Sequence, residues 1–216
     1  MQTVSQRLAL LRQRMALRGL DACVVVTDDF HGSEYVGDHF KTRAYLSGFT
    51  GSAGTLLVLA EEAYLWTDGR YFLQTERQLT GSGIELMRAG QPGVPTLSAF
   101  LAEKLPEGGA LGFDGRTVST KLYRTLEKAL AGKRVRMDGG FDPAEGVWSD
   151  RPPLSAAPVW AFDSDVTRRE KLALLRQDMA ARDASYLLLT DLTDAAWTLE
   201  LRGGEGWFTL NAGKLA

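Results

Sequence analysis

The sequence holds one cysteine and two histidines in 216 residues. A single cysteine excludes an internal disulfide and fits a reducing, cytoplasmic setting. Cys23 stands in the run Ala22-Cys23-Val24-Val25-Val26, which suits a buried structural thiol better than a reactive one. Two histidines leave little for a metal centre, which needs several His, Asp, Glu or Cys side chains to converge. His31 and His39 lie eight residues apart in or beside one loop, without the i, i+4 relation of a helical ligand pair. A basic excess is also missing: 25 Lys and Arg face 27 Asp and Glu, for a net charge of −2. That balance argues against a nucleic-acid partner. No run approaches the ~20 apolar residues of a membrane helix, so no membrane partner is expected. The N-terminus lacks the unbroken apolar stretch of a secretion signal, because Leu8, Leu11 and Met15 alternate with Arg7, Arg12, Arg14 and Arg18. An Arg-rich amphipathic start is also the form of a mitochondrial presequence, and that alternative stays open.

What is present is an alternation of helical and extended patterns. Apolar residues at helical spacing predict a helix over 3–18, stopped by Gly19. The β-branched run 22–27 predicts a buried strand, 28–38 a polar loop, and 39–47 a short helix. Runs 55–59 and 63–67, parted by Glu61-Glu62, predict a hairpin or meander. The stretch from Gly69 to Leu79 is expected to turn helical, with Phe72, Leu73 and Leu79 inward. Then follow a strand at 84–87, a helix from Thr96 to about 105, a strand at 110–114, a helix from Ser119 to about 131 and a strand at 135–137. This is an α/β domain over 1–140. Residues 139–158 carry four prolines and the pair Gly139-Gly140, so 141–162 is expected to be a linker. A partial second α/β domain is expected over 163–216, with a helix at 167–182, a strand at 186–190 and a short helix at 194–199. Its helix–strand opening echoes that of the first domain.

Searching for chemistry yields no self-sufficient active site. Ser33, His31 and Asp38 permit a Ser-His-Asp set only formally, since their spacing follows no nucleophile-elbow pattern. The run Gly48-Phe-Thr-Gly51-Ser-Ala-Gly54 lacks the Gly-Lys-Ser/Thr ending of a phosphate loop and precedes a strand, so a tight turn is the better reading. Asp68, in Thr67-Asp68-Gly69-Arg70-Tyr71, is a candidate cap for the helix that follows. Trp66, Trp148, Trp160, Trp197 and Trp207 are scattered and suit core or interface packing better than a stacking platform.

Four segments resemble the N-terminal region of Xaa-Pro aminopeptidases of the three-domain, cytosolic aminopeptidase P type. The first is Ser33-Glu34-Tyr35 with Arg43-Ala-Tyr45-Leu46-Ser47-Gly48-Phe49-Thr50-Gly51-Ser52-Ala53-Gly54. The second is Leu65-Trp66-Thr67-Asp68-Gly69-Arg70-Tyr71-Phe72, with Gln74 and the later Gly81-Ser-Gly-Ile-Glu-Leu86. The third is Val147-Trp148-Ser-Asp150-Arg151-Pro152, and the fourth Thr193-Asp194-Ala-Ala-Trp197 with Leu201-Arg202-Gly203. They follow one another in the family's order from residue 1 to about 204; Glu205 to Ala216 departs from it, and Lys214-Leu215-Ala216 is a candidate vector-derived end.

The resemblance implies a creatinase-type N-terminal domain, a mixed sheet flanked by helices, followed by an incomplete second domain of similar topology. It implies a third, "pita-bread" domain that carries catalysis on two divalent metals, often manganese, held by two Asp, one His and two Glu. A metal-bridging hydroxide there attacks the scissile carbonyl and releases the residue preceding proline. None of those ligands has a counterpart in this sequence, so no catalytic residue, metal ligand or bound cofactor is expected in this chain. Homodimer pairing and a contribution to the rim of an active site that takes proline-containing peptides are the implied roles. Arg43 and Tyr45, with His39 in the 29–45 loop, are the candidate rim or interface residues. The alternative for Arg43 is an ordinary internal salt bridge, and for Tyr45 core packing. Two other functions stay open: a freestanding binding module of the same fold, and part of a creatinase-like amidinohydrolase.

Overall fold

The computed structural model describes residues 2–30, 32 and 36–203. Expectations for His31, Ser33–Tyr35, Trp207 and Lys214–Ala216 fall outside the described residues. The chain divides into two compact units, Met1–Pro153 and Leu154–Ala216, and each is considered by itself.

The first unit opens with helix α1 (Val4–Arg18) and strand β1 (Ala22–Val26). Thr3 and Gln6 close a capping box at the start of α1, and Gly19 ends it at φ +64°, a left-handed conformation that glycine adopts without Cβ cost. A 3-10 turn over Asp38–Phe40 leads into α2 (Thr42–Ser47). There follow β2 (Thr55–Leu59), β3 (Ala63–Thr67), α3 (Phe72–Leu79), β4 (Glu85–Arg88), α4 (Leu97–Lys104), β5 (Ala110–Phe113), α5 (Thr120–Leu130) and β6 (Arg136–Asp138). Thr96 and Ser119 cap α4 and α5 through their hydroxyls.

The six strands form one sheet in the order β4-β3-β2-β1-β5-β6. The pairs β1–β2 and β2–β3 are antiparallel; β3–β4, β1–β5 and β5–β6 are parallel. Val24 sits opposite both Leu57 and Phe113, which places β1 at the centre. Alternation along β1 feeds two apolar layers. Cys23 and Val25 join Leu8, Leu11, Met15, Leu46 and Phe49 on one face. Ala22 and Val24 join Phe100, Leu101, Leu111, Leu126 and Leu130 on the other. Covering both faces explains why β1, β2 and β3 read as continuous apolar runs. The mixed sheet flanked by helices is therefore as the sequence implied.

Three local expectations fail in this unit. Leu73 is 71% exposed, because α3 turns Thr75 and Leu79 inward and Leu73 lies on the far side. Asp68 does not cap α3; it accepts from the Arg70 backbone N–H at 3.0 Å and grips the Arg70 guanidinium. It lies too far before Phe72 to reach the first free N–H groups, and serves a short turn instead. Residues 141–153 are not a free tether: Phe141, Ala144 and Val147 are buried, Phe141 and Val147 within the first apolar layer. Their glycine and prolines shape a strap that packs against the unit, so the first unit runs on to Pro153.

The second unit contains β7 (Val159–Ala161), α6 (Arg168–Ala181), α7 (Leu192–Leu199) and β8 (Leu201–Gly203). A Thr167–Glu170 capping box starts α6, and Asp191 caps α7. Strands β7 and β8 pair antiparallel, Trp160 opposite Arg202. Residues 186–190, expected as a strand, form none, and Tyr186 is 93% exposed. A strand needs a hydrogen-bonding neighbour, and among the described residues 186–190 pairs with neither β7 nor β8. Conversely β7 arises within the stretch expected as linker.

Candidate functional site

The residues singled out from the sequence lie in the 3-10 turn and α2, at the end of the loop that follows β1, and the 141–153 strap holds them. Arg43 is buried, on the inner side of α2. Its Nε donates to Thr27 Oγ1 at 2.8 Å, and its other nitrogens donate to the carbonyls of Phe49 and Gly51. The guanidinium also faces the Phe49 ring at 4.8 Å. Burial pulls its pKa down to about 10. Arg43 thus ties the Gly48–Gly54 turn to the end of β1, where Thr27 Oγ1 donates to Gly54 O at 2.7 Å. That turn needs its glycines: Gly48 has φ +74°, and a Cβ on Gly51 would lie 2.3 Å from the Phe49 ring.

Tyr45 faces the strap. Its ring stacks on Trp148 at 4.4 Å with planes 7° apart, and the Arg7 guanidinium covers its other side at 4.1 Å. The hydroxyl lies 3.2 Å from Val147 O and 3.0 Å from Gln2 Oε1.

His39 is half-buried in the 3-10 turn, edge-on to Phe40 at 4.9 Å. Its Nδ1 lies 2.8 Å from the Pro152 carbonyl. A carbonyl only accepts, so Nδ1 carries the hydrogen and Nε2 of the neutral ring is left as an acceptor. Arg151 Nε donates to His39 O at 2.7 Å, and its Nη1 to Asp142 Oδ2 at 2.6 Å. Arg116 joins the same carboxylate at 2.7 Å and also pairs with Asp114. Burial pushes the Asp142 pKa up, but hydrogen bonds from Arg151 and the Ala144 N–H, with the charges of Arg151 and Arg116, outweigh it and hold the group below its usual value.

The structure therefore gathers Arg43, Tyr45 and His39 around one loop, and directs two of the three inward. Arg7, Arg116, Asp142, Trp148 and Arg151 complete the cluster, and sequence reasoning gave only Trp148 a role, in packing. Trp148 and Arg151 belong to the Val-Trp-Ser-Asp-Arg-Pro segment, which was the available signal. Asp38, from the formal Ser-His-Asp set, pairs with Lys41. Cys23 is fully buried, and desolvation raises its thiol pKa, which opposes a nucleophilic role.

Three of the acidic groups near this loop are already held by arginines, which does not suit a dinuclear metal centre. Asp114 and Asp142 face Arg116 and Arg151, and Asp138 faces Arg18 and Arg136. Among the described residues no three His, Cys, Asp or Glu side chains converge as a metal cage. Also among them, no helix is long and apolar enough to cross a membrane.

A family model described as the Creatinase/Prolidase N-terminal domain matches residues 7–140, and a second model of the same description matches 150–207. Aminopeptidase P2 of Arabidopsis thaliana is 38% identical over 193 residues, covering 87% of this chain and 27% of that protein. Xaa-Pro aminopeptidase ApepP of Drosophila melanogaster is 37% identical over 196 residues, covering 87% of this chain and 31% of that protein. Among solved structures, an X-prolyl aminopeptidase from Caenorhabditis elegans, described as a cytosolic enzyme with a di-nuclear active site, superposes with a TM-score of 0.81 at 31% identity. The match covers 94% of this chain and 35% of that one. The chain spans about a third of the length of the relatives it matches.

Proposed function

Since the chain belongs to the Creatinase/Prolidase N-terminal domain family, we propose that it is the non-catalytic N-terminal portion of a cytoplasmic Xaa-Pro aminopeptidase. The whole enzyme removes the N-terminal residue that precedes proline. Two divalent metals, with manganese the expected ion, lie in the remaining portion; the arginine-paired carboxylates here do not suit them. The observation that carries this reading is the pattern of coverage. Aminopeptidases 37–38% identical to this chain match 87% of it, while it accounts for only 27–31% of them.

The role of this portion is to pair subunits in a homodimer and to shape the rim of the peptide site. Within the loop the three residues divide the work. Arg43 and Tyr45 hold the loop from beneath, through the Gly48–Gly54 turn and the Trp148 stack. His39 presents Nε2, an acceptor suited to a peptide N–H.

The test is His39→Ala in the full-length enzyme, read as kcat and KM on a peptide with proline in second position. KM is expected to rise several-fold with kcat little changed, as for lost uniform binding. An unchanged KM removes His39 from the rim and leaves the aminopeptidase reading in place. Failure of the full-length enzyme to cleave such peptides removes that reading itself.

A further inference from the structure

The first unit buries two apolar layers, whereas the described residues of the second bury polar groups. Among its described residues, Lys171, Thr198 and Arg202 are the buried ones, and no apolar side chain joins them. Lysine is almost never buried without a partner. Here the side chains of Lys171 and Glu200 are 5% and 11% exposed, with Nζ 3.3 Å from Oε1. The ammonium also donates to Ser164 Oγ and to the Trp197 carbonyl, both at 3.1 Å, and lies 4.9 Å from the Trp197 ring.

Glu200 is the hub. It ends α7 in a left-handed conformation, φ +54°, unusual for a residue with a side chain. That turn aims its carboxylate at the start of α6, where Oε2 accepts the Arg168 N–H at 2.9 Å. Oε1 meets the Ser164 hydroxyl, and the Glu200 carbonyl accepts the Phe162 N–H at 2.8 Å. Glu170, a like charge that Glu200 acts on, is drawn into its own capping box with Thr167. One residue thus joins three elements: its carbonyl holds the chain after β7, its carboxylate the start of α6, and its own backbone ends α7.

We propose that Glu200, Lys171 and Ser164 form a charge latch that holds these elements folded and, when broken, releases them together while the six-stranded unit stays intact. The device is a local opening confined to the second unit, and it does not depend on the aminopeptidase reading. Breaking a buried pair leaves one uncompensated charge, whereas removing both members leaves none. The latch therefore has a distinctive double-variant signature.

Hydrogen exchange followed by mass spectrometry on the 216-residue chain tests it, comparing wild type with Glu200→Gln, Lys171→Met and the double variant. Each single variant is expected to lower protection of amides in 168–203 by about tenfold, with β1, β2, β3 and β5 unchanged. The double variant is expected to regain part of that loss. Single variants within about twofold of wild type overturn the proposal, as do equal losses in the first unit. Additive losses in the double variant overturn it too, and so does a wild-type second unit that shows no protection.

Discussion

Two helices in this chain start in the same way and end in different surroundings. Helix α1 begins at Thr3 with Gln6 closing a capping box, and α6 begins at Thr167 with Glu170 closing another. Helix α1 then buries Leu8, Leu11 and Met15 under a six-stranded sheet. Helix α6 buries Lys171 alone and leaves Leu174 58% exposed. The difference teaches that a cap and a good propensity specify a helix locally, whereas its stability depends on what the apolar face meets. The first unit rests on two apolar layers, and the second on a polar hub.

The largest expected effect is on the apolar layers. Leu111→Ala in β5 should cost about 2–5 kcal/mol, because Leu111 is fully buried. Leu174→Ala in α6 should stay within about 0.5 kcal/mol. Urea unfolding measured on both variants breaks the comparison if the two losses are equal. Next comes the turn beneath the loop. Gly51→Ala sets a methyl against the Phe49 ring and should cost roughly 1–3 kcal/mol by thermal unfolding. A neutral result would mean that the turn opens freely and that Arg43 does not pin it.

Electrostatics ranks third. Asp142 is held below its usual pKa by Arg151 and Arg116 against the opposing effect of burial. A lowered folded-state pKa gives stability that is present above the unfolded value, about 3.9, and is lost as pH falls through the folded value. Asp142→Asn should therefore cost roughly 1–3 kcal/mol at neutral pH and flatten part of the acid limb of the urea midpoint plotted against pH. An acid limb identical to wild type would place the strap's stability elsewhere. The smallest effect sharpens the comparison. Thr3→Ala and Thr167→Ala should each cost about 1 kcal/mol. Hydrogen exchange should register the second only in 168–203.

Legibility in the sequence followed the same division. In the first unit β1, β2, β3 and β5 were readable as strands, because burial on both faces leaves an uninterrupted apolar run. In the second, Tyr186 to Thr190 has the same kind of run and forms no strand, since pairing partners are not a local property. The strap was hidden for another reason. Its proline and glycine content marks turns, and composition does not distinguish a free turn from one packed through Phe141 and Val147. At the loop, Arg43 and Tyr45 were found as residues but not in their inward orientation. That orientation depends on carbonyls at 49 and 51 and on a ring at 148. His39 was readable as a lone loop histidine, but its tautomer was not, because Pro152 lies 113 residues away.

The central proposal is that this chain supports an active centre without containing one. The direct measurement is release of the N-terminal residue from an Arg-Pro peptide by the purified 216-residue chain in the presence of Mn²⁺. The account predicts no turnover above the buffer control. Sustained turnover that co-purifies with the chain would contradict it.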